Sequence, residues 1–124
     1  MSWKMQLNES AGTVEVQCSG NLALDDLTML VIETSFVMEE NGCSTVLLDL
    51  SDAVMGFSTD ALAVLLDIYA EYSVPLSSRS GILLGAEDAA KDFSKFLTAA
   101  KEYGYRIDLL TESRQVSAWL AAAK

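Results

Sequence analysis

Histidine is missing from all 124 residues. Its absence removes Ser-His-Asp and Cys-His catalysis, histidine metal sites and histidine pH switching together. Cysteine is scarce: Cys18 and Cys43 stand far apart and form no C-x-x-C pair. A zinc knuckle and a thioredoxin-like redox motif are therefore excluded, and two free thiols in a reducing cytosol are expected. The seven glycines are scattered, and Gly81 and Gly85 flank a strand instead of opening a helix, so no phosphate-cradling loop is present. The single proline, Pro75, marks a break and not a linker. Basic residues number 8 against 18 acidic ones, for a net charge of −10, which disfavours nucleic acid and anionic membrane surfaces as partners. Apolar stretches are interrupted by Asp, Glu and Thr before they reach membrane-spanning length, and Met1–Met5 carries no signal-like apolar core, so a cytoplasmic protein without membrane insertion is expected.

What remains is globular composition, 51% hydrophobic and 21% charged, of a size that gives one domain over residues 1–124. Trp3, Met5 and Leu7 alternate with Lys4, Gln6 and Asn8, and Val14, Val16 and Cys18 with Glu15 and Gln17. Glu9-Ser10-Ala11-Gly12 between them is turn chemistry, so the chain opens with a β-hairpin. Asp25 and Asp26 begin a helix whose core stripe is Leu27, Leu30, Val31, Thr34, Val37 and Met38, and Asn41 or Gly42 ends it. Thr45–Leu50 is a nearly continuous apolar run, the pattern of a strand covered on both faces.

Ser51 to Phe57 is expected as loop, and Ser58, Thr59 and Asp60 as the start of a helix that runs through Leu62, Leu65, Leu66 and Tyr69 and ends before Pro75. Leu76 to Ser80 is expected as a polar connection and Ile82–Leu84 as a short buried strand. Glu87 and Asp88 open a helix with Phe93, Phe96, Leu97 and Ala100 on its core face and Gly104 at its exit. Tyr105–Leu110 is the last strand, and Thr111-Glu112-Ser113 caps a final helix carrying Val116, Trp119 and Leu120 on one side. The fold class is α/β: a mixed sheet of about five strands opened by a hairpin, with about four helices packed on it and right-handed crossovers between parallel strands.

This order, together with Val46-Leu47-Leu48-Asp49-Leu50-Ser51-Asp52 running into Phe57–Leu66, resembles the STAS domain. The segments Phe93–Gly104 and Val116–Leu120 resemble its SpoIIAA-like, STAS/SEC14-like branch. The resemblance implies a bacterial regulatory domain of the anti-sigma-factor-antagonist kind, in which a serine at a helix start is phosphorylated by a partner kinase that is itself an anti-sigma factor. Phosphate is favoured at such a helix start by free N–H groups and the dipole. By spacing to Leu62-Ala63-Val64 the acceptor falls on Thr59, with Ser58 in the place of the usual Asp; a slip of one residue puts it on Ser58. The Asp-Ser pair and the small glycine after it are absent, and Asp60 already supplies negative charge beside the acceptor. The loop is thus a degenerate phosphoacceptor, and Ser58, Thr59 and Asp60 also read simply as helix caps.

The first helix carries a second apolar stripe, Met29, Ile32 and Phe36, which a helix with one buried face does not need. Two roles are expected for it: an interface, foremost in a homodimer, or the lining of a site for a lipid or small apolar ligand. Catalysis is the poorest reading. The pairs Asp25/Asp26, Glu39/Glu40 and Glu87/Asp88 sit at helix ends, and no nucleophile–base–orienter set assembles from this chain. Asp49 is the one carboxylate inside an apolar strand, expected either to be buried with a raised pKa or to accept N–H bonds at the strand end. No metal and no cofactor is called for. Lys91, Lys95 and Lys101 lie among acidic residues as a mixed solvated surface. A protein partner is the principal expectation.

Overall fold

The computed structural model describes residues 2–10, 12–55, 66–67, 71, 78–84 and 93–122. Its elements run β1 (Ser2–Asn8), β2 (Thr13–Leu22), α1 (Leu24–Asn41), β3 (Thr45–Met55), β4 (Arg79–Leu83), α2 (Ser94–Glu102), β5 (Arg106–Leu110) and α3 (Gln115–Ala122). Leu66, Asp67 and Glu71 are also helical, in the stretch where the second of the four expected helices falls. The beginning of that helix, the Glu87–Asp88 helix start and Pro75 lie outside the described residues.

The five strands form one sheet in the order β1-β2-β3-β4-β5. β1 and β2 are the expected antiparallel hairpin, and β2, β3, β4 and β5 run parallel to their neighbours. Alternation decides which residues face the core. Val14, Val16, Cys18, Val46, Leu48, Leu50, Ile82 and Leu84 meet Leu27, Leu30 and Val31 of α1, Leu66, and Phe96 and Ala100 of α2 in one buried cluster. Each crossover therefore lays its helix on the same face, as a parallel sheet that advances in one direction requires. The other phase of the central strands, Leu47 and Leu83, packs with Leu110 and Trp119 beneath α3.

The ends of α1 follow local chemistry. The Asp26 carboxylate accepts the backbone N–H of Ala23 at 2.8 Å, as an acidic third residue of a helix does in a capping box. Gly42 takes φ 64°, and the N–H of Cys43 reaches back to the carbonyl of Met38 at 2.9 Å, closing the helix in the left-handed manner.

Two expectations need correction. Ser51–Met55 is strand and not loop, because β3 continues past a bulge: Gln17 pairs with Asp49 but Ser19 with Asp52, so β3 carries one extra residue there. The Asp49 carboxylate accepts the backbone N–H of Ser51 at 3.0 Å and its hydroxyl, which stabilises the kink. The extra residue lets Leu50 and Ala53, three apart, pack on the same core. Arg79 and Ser80 likewise are not connection but the start of β4, and every residue of that strand is buried. Their polarity hides a central strand whose backbone pairs on both sides.

Candidate functional site

Among the described residues the sheet has no topological switch point, where doubly wound sheets hold their ligands, because its strand order never reverses. The surfaces left for function are the carboxyl ends of the strands, the outer face of α1, and the face of the sheet opposite the main core. At the first of these, β2 and β3 end side by side, with Leu22 opposite Met55, and α1 starts two residues after Leu22. β3 ends at Met55 on this edge. Ser58, Thr59 and Asp60 themselves lie outside the described residues.

The outer face of α1 is laid out in full. Met29 and Phe36 are 58% and 59% exposed, and Ile32 between them is half-buried. On the opposite side of the helix, Leu27, Leu30, Val31, Thr34 and Met38 are buried. An apolar hollow between α1 and the sheet is lined by Val31, Thr34, Ser35, Met38, Val46, Leu48, Ser78 and Ser80, so it draws on the inner stripe and not on Met29, Ile32 or Phe36. The Thr34 hydroxyl is buried there without a hydrogen-bond partner among the described residues.

On the far face of the sheet, α3 covers only the β3–β5 side. Toward β1 an open groove of about 260 Å³ is lined by Lys4, Gln6, Glu15, Val16, Gln17, Leu47 and Asp49. Asp49 is half-exposed and spends one oxygen on Ser51, so it does accept an N–H bond, but inside β3 at the bulge and not from a loop at the strand end. It also stands close enough to Cys18 to act on it. Burial first, and the negative charge of Asp49 second, push the Cys18 thiol up to about 11. Cys18 thus stays a neutral, inert core group, and Cys18 and Cys43 are both free.

A second polar cluster had no counterpart in the sequence reading. The Arg79 guanidinium, nearly buried, lies 4.0 Å from the centre of the Trp119 ring and 3.7 Å from the Asp108 carboxylate. Trp119 donates its Nε1–H to that same carboxylate at 2.9 Å. Gly81 makes room for the ring: a Cβ there would sit 2.7 Å from an indole carbon. A glycine inside a strand is the one sequence signal that marks such a close approach. The cluster clamps α3 onto β4 and β5. Among the described residues no group of three or more His, Cys, Asp or Glu side chains is placed to hold a metal ion. No helix among them is long and apolar enough to cross a membrane.

With this geometry in place, the fold is recognisable: the chain has a SpoIIAA-like fold. It is similar to the structure of the anti-sigma factor antagonist SpoIIAA in its unphosphorylated form, with a TM-score of 0.59 at 10% identity over 99% of this chain and 100% of that one. It is also similar to the structure of the Bacillus cell fate determinant SpoIIAA in the phosphorylated form, with a TM-score of 0.55 at 13% identity over 95% and 99% of the two chains. No protein-family model matches the sequence, and no curated protein does.

Proposed function

We propose that this chain is a non-catalytic regulatory domain of the bacterial cytoplasm that acts by binding a protein partner through the segment Gly56–Asp60, a degenerate form of the phosphoacceptor loop. The observation that carries this reading is the likeness, end to end, to an anti-sigma factor antagonist whose solved structures include an unphosphorylated and a phosphorylated form. The one-directional strand order is compatible with it, since it leaves no topological switch point of the kind where doubly wound sheets hold their ligands. Ser58 and Thr59 are the candidate acceptors, and Asp60 holds a standing charge beside them that opposes a second one.

Tagged full-length chain at native expression tests the reading. It is expected to retain a specific protein partner that Thr59→Arg loses, and a wild-type chain that retains none refutes it. Intact mass of the protein from its own cells then separates two modes. A species heavier by one phosphate at Ser58 or Thr59 makes the loop a switch, and an unmodified mass makes it a constitutive docking site.

A second reading, binding of a lipid or small apolar ligand, gains nothing from the hollow beside α1, whose free volume of about 30 Å³ admits little more than a water molecule. Native mass spectrometry of freshly purified protein is the check: a retained small molecule supports it, and a bare chain removes it.

A further inference from the structure

The exposed side of α1 combines two properties, apolar surface and charge of one sign. At about 100° per residue, Met29, Ile32 and Phe36 fall within the same arc of about 140° as Asp25, Asp26, Glu33, Glu39 and Glu40. All five acidic residues of the helix are on that arc, and the helix has no Lys or Arg. Asp26 is occupied with the backbone of Ala23. Among the described residues, no basic side chain pairs with any of the five. The face is thus an apolar stripe, with Met29 and Phe36 about 10 Å apart along the axis, rimmed only by negative charge.

We infer that this face is a docking surface for a protein partner presenting an amphipathic helix with an apolar ridge bordered by Lys or Arg. This deepens the reading as a partner-binding domain and rests on it. Charge selects the occupant. A two-fold contact with a second copy sets one acidic rim against its twin, and like charges across an interface are strongly disfavoured. An anionic membrane is repelled for the same reason. A basic helix satisfies both properties, since it offers apolar anchors at the spacing of Met29, Ile32 and Phe36 and cations for the rim. The apolar area on offer is on the order of 250 Å². That is well below the roughly 800 Å² each partner buries in a stable complex. The contact is therefore a transient one, or one arm of a larger interface, as suits regulation.

The test places a photo-crosslinking side chain at position 36 of the full-length protein, expressed at native level in its own cells, with Tyr103, also exposed, as the control position. The adducts are sequenced by mass spectrometry. The expected result is one protein adduct at position 36, absent at 103, whose crosslinked segment is net positive with apolar residues at helical spacing. The double variant Glu33→Lys/Glu40→Lys is expected to cut its yield at least tenfold while the melting temperature holds. No adduct, an adduct to a second copy of this chain, an adduct to lipid, an acidic segment, or a yield untouched by charge reversal each overturns the inference. A parallel probe at Ser58 keeps the two readings apart. Protein adducts at 58 without any at 36 overturn the α1 surface and leave the proposed function standing.

Discussion

Replacing Gly81 by alanine puts the clamp on α3 under strain at one atom. The new Cβ would lie 2.7, 2.8 and 2.9 Å from the Cζ2, Cη2 and Cε2 of Trp119, where carbon atoms rest at about 3.5–4.0 Å. The ring must retreat by about 1 Å. It is not free to do so, because it is hydrogen-bonded to Asp108 at 2.9 Å and stacked on Arg79 at 4.0 Å. Gly81 has no left-handed backbone to protect. Absent the clash, the substitution would therefore stabilise by roughly 0.4–1 kcal/mol through the unfolded chain. Overpacking costs about 1–3 kcal/mol, so Gly81→Ala is expected to lose about 1.3 kcal/mol net. For a chain of this size that is a fall in melting temperature of about 5 °C. The background Trp119→Leu removes the six-membered ring, and there the same substitution is expected to be neutral or stabilising. Urea denaturation followed by far-ultraviolet circular dichroism measures all four corners of the cycle. An equal cost in both backgrounds, or no cost in the wild type, refutes the close approach of Trp119 to β4 and with it the clamp.

Two further outcomes concern Cys18 and Gly42. Cys18 has a thiol pKa raised from 9.0 to about 11 in the folded protein. The stability this contributes is fully present below pH 9 and is lost as pH rises from 9 toward 11, where the unfolded chain ionises first; the loss approaches about 3 kcal/mol. Cys18→Ser is expected to flatten that alkaline limb, measured by urea denaturation at stepped pH, and a limb unchanged by the substitution contradicts the assignment. Gly42, at φ 64° with nothing within 4 Å of where a Cβ would sit, is expected to cost about 1 kcal/mol as alanine purely from its backbone. Asparagine should recover part of that, and equal stability for all three residues would show that the left-handed exit of α1 is not required.

The sequence by itself determined the elements and their inner faces. Alternation in Trp3–Leu7 and Val14–Cys18 specifies a hairpin, and helical spacing in Leu27–Met38 specifies the buried side of α1. Gly42 and Gly104 mark helix exits, and both take positive φ. These signals are local, since each depends only on the repeat of one element or on the backbone freedom of one residue. Local signals mislead where a polar residue serves a tertiary purpose. Asp49 and Ser51 look like the start of a loop, yet their hydrogen bonds hold a bulge that keeps β3 going. Arg79 and Ser80 look like a connection, yet they begin a strand buried between two neighbours.

Only the tertiary structure decided that Arg79, Asp108 and Trp119, drawn from β4, β5 and α3, meet over Gly81, because no single element's periodicity records a contact among three. It also decided that the acidic residues of α1 share one exposed arc with Met29 and Phe36. The spacing to compute that arc was in the sequence. That the arc faces solvent, and is not covered by another helix, depends on which side of the sheet the crossovers lie.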